Sequence, residues 1–487
     1  MKLKKKDVVS IILLIGLCIF SRFDDEILTF YTNDQRNTEA NEVREVVYIQ
    51  GVSSNVMDTK GSEETVNPNL MQEPNIAVLL TNENDTYEID SFNIDYSDTC
   101  YIDNQEQMIA MNEPINDDTL KNYQNGENAL LIGQRSLEDW DYDARMLLTI
   151  NGNSQIYQGI LRIEQCDGCY YVVNILPLET YLCYVLPSEM PSDFPPDALR
   201  AQAVCARTYA YQFLESNQLE EYHADVDDTT AYQVYHASTL SPSANEAVTS
   251  TRGQIMTYDG EPINAYYYSC SCGHSTTPDI WRNNQGKTFP YLQYQEFDPI
   301  EADIPWYSWS YKVHQLNQQE LLDNIGERLR KQPEIIRITS HDNRHIYNSS
   351  DAINILNSLN TEDITDLEIT ERKSGEVAEC LMITIGDMDI WVEGEYSIRC
   401  VLGASNAELT RQDGSVMNQT MVPSGFFTLN VYSEDGVISG YNLKGGGFGH
   451  GVGMSQYGAR ALALLDYDYE SILTYYYQNV TIEKIYE

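Results

Sequence analysis

The stretch from Pro195 to Leu214 constrains the fold more than any other. Pro195 and Pro196 mark a helix start, because proline lacks an amide hydrogen that a first-turn residue would leave unpaired anyway. Beyond them Leu199, Ala203, Ala206, Ala210 and Phe213 recur at helical spacing and form one apolar stripe. Gln202 and Tyr209 fall on a different face from Arg200, Arg207 and Leu214. With alanine so dense at its centre, this helix is expected to be largely buried, wrapped by the rest of the chain.

Around it the pattern is β. Ile76 to Leu80 is a compact apolar run suited to a buried strand, and order is expected to begin there. Met146 to Ile150 ends at the hairpin signal Asn151-Gly152. Ile156 to Ile163, the Asp167-Gly168 turn and Tyr170 to Ile175 follow, which predicts three short strands in meander order. Residues 300–440 read as a mixed insertion, with a helix over Gln315 to Arg330. Its strands are expected at Ile335–Ile338, Cys380–Ile385 and Asp389–Val392, with another at Phe426–Tyr432. Ser455 stands where a helix N-cap would, ahead of Ala459 to Leu465. A helical piece from Tyr469 to Tyr477 and a short strand close the chain. No repeat of solenoid period is present. The expected class is α+β: mixed β-meanders with a buried central helix.

The chain has 487 residues, 30 basic and 74 acidic, for a formal charge of −44, and 42% of it is hydrophobic. That length allows one large elaborated domain plus a tail. Such acidity argues against nucleic-acid binding and against peripheral binding to anionic lipid, since both need clustered Lys and Arg. Lys2, Lys4, Lys5 and Lys6 precede an apolar run from Val8 to Phe20. That run is short for a membrane span, and no small-x-small cleavage site follows it. Residues 1–23 are therefore expected to form an uncleaved signal anchor, with the positive end inside. Cys18 resembles a lipoprotein-box cysteine, but the bulky Leu17 argues against lipidation. Residues 24–73, polar and acidic, read as a flexible spacer, which places the 74–487 body outside the cytoplasm.

Three clusters offer chemistry. Glu189 lies in Leu186-Pro187-Ser188-Glu189-Met190-Pro191, between the β meander and the helix. Partial desolvation there would raise its pKa and suit it to proton donation. The structural alternative is that Ser188 caps a helical turn and Glu189 merely favours the helix dipole. The loop from Gly445 to Gly453 allows close backbone approach. It lacks the Lys-Ser/Thr of a phosphate cradle and the distal acid of a dinucleotide site. His450 within it is either a substrate contact or a structural donor. Ser269-Cys270-Ser271-Cys272-Gly273-His274-Ser275 holds thiols, hydroxyls and an imidazole. It suggests a Cys272–His274 nucleophile pair, a metal clip of Cys270, Cys272, Cys166 and Cys169, or a polar groove lining. Cys166 and Cys169 flank a two-residue turn, where a local disulfide is geometrically feasible.

Taken together, the motifs resemble the SpoIID/LytB family. They run in the family's order. First come Pro177 to Leu182, Pro187-Ser188-Glu189-Met190-Pro191 and Ala198 to Tyr209. Then follow Asp227 to Thr230 with Gln233-Val234-Tyr235, Tyr268 to Thr276 with Trp281, Ser397 to Gly403, and Gly447 to Ala459. The resemblance runs from about residue 74 to the C-terminus.

It implies a cell-wall enzyme: a lytic transglycosylase that cuts peptidoglycan strands lacking stem peptides, with its catalytic glutamate at Glu189. The products would be 1,6-anhydro-N-acetylmuramic ends, and sporulation is the implied setting. Gln202, Arg207, Ser269, Ser271, His450, Gln456 and Tyr457 are by position candidates for the groove around that acid, with a brace for the helix as the equal alternative for Arg207. Peptidoglycan strands and other wall hydrolases are the implied partners. The alternative role is a non-catalytic amidase enhancer. Some relatives bind zinc ahead of the Gln-x-Tyr stretch. Here His223 is followed by Asp227 and Tyr232 where thiols are expected, so no metal and no cofactor are expected. Cys272 replaces a family glycine.

Overall fold

The computed structural model describes residues 71–487, apart from short segments at 83–85, 97–99, 104–107, 123–128, 139, 141–143, 215–217, 238–239, 285, 342–348 and 360–361. The expected anchor and nearly all of the expected spacer lie outside the described residues. Among these residues, no helix is long and apolar enough to cross a membrane. Among the described residues the architecture is mixed α and β, with eight α-helices and several sheets.

Two apolar cores organise it. The first gathers residues up to Leu292 and the C-terminal segment, joined by Val377 and Phe426. Its main sheet has seven strands, in the order Val226–Asp227, Asn75–Leu79, Tyr170–Pro177, Ile160–Gln165, Ala129–Gly133, Tyr101–Asp103 and Met108–Ala110. A four-stranded sheet lies beside it, in the order Ile115–Asn116, Phe92–Tyr96, Met146–Ile150 and Asn153–Tyr157.

The expected three-strand meander is thus divided between sheets. Met146–Ile150 turns back on Asn153–Tyr157, while Ile160–Gln165 pairs with Tyr170–Pro177 in the other sheet. The β-prone stretch from Ile156 to Ile163, with Gln158 and Arg162 inside it, hides the break, which falls at Gly159. Gly159 has φ +86°, and a Cβ there would lie 2.4 Å from the Ile175 carbonyl oxygen. Only glycine permits both that conformation and that approach.

Helices follow the strands. α1 (Leu178–Glu189) leads to α2 (Pro196–Tyr211), with Pro at its first turn, then α3 (Pro242–Ser250). α2 is buried along almost its whole length and packs against α1, α3 and strand Gln254–Tyr258, and against two C-terminal helices described below. Its small side chains bring all these neighbours close, which is why alanine dominates it.

The second core takes Cys270 and residues from 304 to 448. One sheet runs Val416–Met417, Glu408–Arg411, Trp309–Val313, Val437–Gly445, Phe427–Glu434; the other runs Ile336–Ser340, Met388–Glu393, Val377–Ile385, Ile364–Lys373. Here lie α4 (Gln318–Lys331), α5 (Ser349–Ser358) and α6 (Glu395–Val401). The chain then returns to the first core through the glycine loop, α7 (Gln456–Leu464) and α8 (Tyr469–Tyr476), the two C-terminal neighbours of α2. The final strand, Thr481–Lys484, pairs with Gln254–Tyr258.

Candidate active site

Glu189 ends α1. Pro187 precedes it in the last turn, and Ser188 Oγ donates back to the Tyr184 carbonyl at 3.0 Å. Ser188 is therefore no N-cap, and the dipole reading fails on position. The C-terminal end of a helix disfavours negative charge rather than supporting it.

The Glu189 side chain is fully buried. Its Oε1 accepts a hydrogen bond from the Val234 amide at 3.0 Å, and its Oε2 has no partner among the described residues. No cation among the described residues is paired with it. Burial pushes its pKa up to about 8, and the Val234 amide and then the Tyr267 hydroxyl only partly oppose that rise. The carboxyl is thus protonated at neutral pH, with a free oxygen that can carry the proton.

Several buried polar atoms of the motif residues lack partners among the described residues. Gln456 Nε2 donates to the Glu189 backbone carbonyl at 3.0 Å, leaving its own Oε1 unpaired. Both amide atoms of Gln202, on α2, are unpaired, as is Ser269 Oγ. Ser269 is held near α7 because its carbonyl accepts from the Tyr457 amide at 3.0 Å. Buried polar groups are normally satisfied, so these atoms retain hydrogen-bonding capacity that the described residues do not use. Tyr457 is half-buried, with its ring against Phe194 at 5.3 Å.

Three other candidates are occupied. Arg207 is fully buried and grips Glu179 through two bonds, Nε to Oε1 at 2.8 Å and Nη2 to Oε2 at 2.7 Å. Glu179 also accepts from the Gly253 amide and the Tyr486 hydroxyl. Arg207 braces α2 and does not line a groove. His450 donates from Nε2 to the Tyr267 carbonyl at 2.9 Å and accepts the Val452 amide at Nδ1. Burial drives its pKa down to about 3, so it is a neutral structural imidazole. Ser271 gives both its hydroxyl and its amide to Glu301.

Glu301 was not legible as part of the site. It sits in a loop outside every motif, yet it also accepts the Ser455 hydroxyl at 2.6 Å. It thereby ties the Ser-rich loop to the cap of α7. The N-cap itself forms as expected, with Ser455 Oγ accepting the Gly458 amide.

The proposed metal clip does not assemble, because Cys166 and Cys169 form a disulfide with each other. Cys272 and His274 do meet, Sγ to Nε2 at 3.7 Å, but burial pushes the thiol up to about 12, far from a thiolate at neutral pH. In the stretch compared with zinc sites, Asp227 instead accepts from the Tyr87 and Thr229 hydroxyls, and Tyr232 donates to Gln218.

Comparison with known proteins points to one family. The family model for SpoIID, stage II sporulation protein, matches residues 167–258, the stretch that carries Glu189 and α2. An uncharacterized protein of Brachyspira hyodysenteriae is 32% identical over 337 residues, 69% of this chain and 73% of that one. The chain belongs to the SpoIID family. Stage II sporulation protein D of Bacillus subtilis is 27% identical to this SpoIID chain over 330 residues, 64% of it and 76% of the relative. An amidase enhancer of Bacillus subtilis is 27% identical over 304 residues, but these make up only 39% of that longer protein.

Proposed function

We propose that this SpoIID protein is a peptidoglycan lytic transglycosylase acting outside the cytoplasm, in sporulation. One observation carries the reading: Glu189 is fully buried with no salt bridge among the described residues, one carboxylate oxygen accepts the Val234 amide, and burial pushes its pKa up to about 8. Glycosidases generally need a second carboxylate to act on water or to form a glycosyl ester. A transglycosylase that uses the sugar's own C6 hydroxyl does not.

Protonated Glu189 donates to the bridging oxygen as the C1–O bond breaks. The C6 oxygen of the same muramyl residue then bonds to C1, and its proton passes to the Glu189 carboxylate. The acid is regenerated, no water is consumed, and a 1,6-anhydro end remains. The nucleophile is already tethered, so proximity supplies much of the acceleration. The unpaired atoms of Gln202, Ser269 and Gln456 supply donors and acceptors suited to sugar hydroxyls and acetamides.

The test is incubation of denuded glycan strands with the full chain and with Glu189→Gln, with products read by mass spectrometry. Anhydro-muramyl ends from the wild type and none from the variant are expected. Equal products from both, or none from the wild type, would sink the reading. The amidase-enhancer role is the second reading, favoured by the name of one relative. An enhancer would stimulate an amidase equally well with Gln at position 189.

A further inference from the structure

The two loops that build the candidate site do not stop there. Cys272 and His274, from the Ser-rich loop, and Gly445 and Gly446, from the glycine loop, form one side of a groove of about 830 Å³. The second core supplies the opposite side, including Tyr307 and Trp309. The groove thus lies where the two cores meet, a common position for ligand sites, and its size suits a small saccharide segment.

Its charge runs against the whole molecule. The chain carries 74 acids to 30 bases, yet the groove is lined by Arg372, Arg411 and Lys444 against one carboxylate, Glu376. Arg411 is fixed across the Trp306 ring at 5.0 Å and donates from Nε to Ser415. Arg372 is held by the Glu376 backbone carbonyl at 2.6 Å. Lys444 is exposed at the end of its strand. None of the three cations lies within salt-bridge distance of a carboxylate among the described residues, though Arg372 feels the charge of Glu376 and Arg411 that of Asp413. Distant acids are screened over a Debye length of about 8–10 Å, so a ligand in contact with the groove meets its cations first.

We propose that this groove binds the acidic sugar of a glycan strand, taking a lactyl carboxylate on its cations and a ring face on its aromatic wall. It would hold the strand whose bond reaches Glu189, so it rests on the transglycosylase reading. Aromatic faces accept sugar rings through their C–H edges, and Arg and Lys make charge-assisted bonds to carboxylates.

The experiment uses the full chain carrying Glu189→Gln, so that nothing is turned over. Calorimetry compares a denuded glycan oligomer bearing lactyl groups with a neutral N-acetylglucosamine oligomer of equal length. The acidic oligomer is expected to bind about tenfold tighter at low salt, an advantage that shrinks as salt rises. Lys444→Gln and Arg411→Gln should erase that advantage while leaving affinity for the neutral oligomer unchanged. Lys444 is exposed, so its variant keeps the test valid even if Arg411→Gln folds poorly.

Equal affinity for the two oligomers, or a preference that survives both substitutions, overturns the proposal. Equally strong competition by polyphosphate overturns the sugar part of it. Anhydro products without an acidic preference would remove the groove and leave the enzyme. An acidic preference without anhydro products would do the reverse.

Discussion

At Glu189 two consequences follow from one pKa. Catalysis by the protonated form should be steady below neutrality and fall as pH rises through about 8. Glu189→Gln should lower turnover by about 10²- to 10⁴-fold, measured as anhydro ends per unit time. Stability should move the opposite way. The carboxyl's ordinary value is 4.5 and its folded value about 8. Between these, the unfolded chain releases the proton and the folded chain keeps it, so wild-type stability declines as pH rises across that window. The Gln variant escapes this loss. Its unfolding free energy should match wild type near pH ~4 and exceed it near pH ~8, by a margin on the order of 4 kcal/mol at most. Arg207→Ala should behave differently. It strands a buried Glu179 and should cost about 3–5 kcal/mol in denaturant unfolding at neutral pH. Ser455→Ala removes both a helix cap and a Glu301 partner, and should cost about 2 kcal/mol by the same assay.

At the level of elements, patterning revealed what repeats along the chain and missed what depends on chain reversal. α2 was legible because Pro196 and the alanine spacing each specify it locally. The α7 cap was legible for the same reason. The sheet switch at Gly159 was not. Ile156 to Ile163 reads as one β-prone stretch across it, and only the approach to Ile175 reveals why a glycine stands there. Gly159→Ala should therefore destabilise the body by about 2–3 kcal/mol, through both backbone strain and a clash with a carbonyl. Within the site, Glu189 stood out through its motif and its Pro and Met neighbours. The occupations of Arg207 and His450 were hidden, because each depends on partners far away in sequence: Glu179, and the Tyr267 carbonyl. Glu301 left no sequence signal at all, since a lone acid in a loop looks like solvated surface.

For the whole molecule, the formal charge of −44 sets a global term. Like charges repel across the compact state, and added salt screens them. The melting temperature of the full chain should rise on going from about 20 mM to about 200 mM sodium chloride. Binding of an acidic glycan should weaken over the same range. A single salt titration therefore separates self-repulsion from ligand attraction, because their signs differ.

The glycine loop deserves its name in composition but not in behaviour. Gly446, Gly447, Phe448 and Gly449 each donate their amide to a carbonyl of a different segment: Phe426, Trp306, Cys270 and Pro423. The carbonyls of Gly447 and Gly451 accept from Trp309 and Thr276 in turn. Such a strip has little freedom left to lose when a strand arrives. In deuterium oxide its amides should exchange as slowly as those of α2, marking a rigid anvil where composition alone suggests a flap.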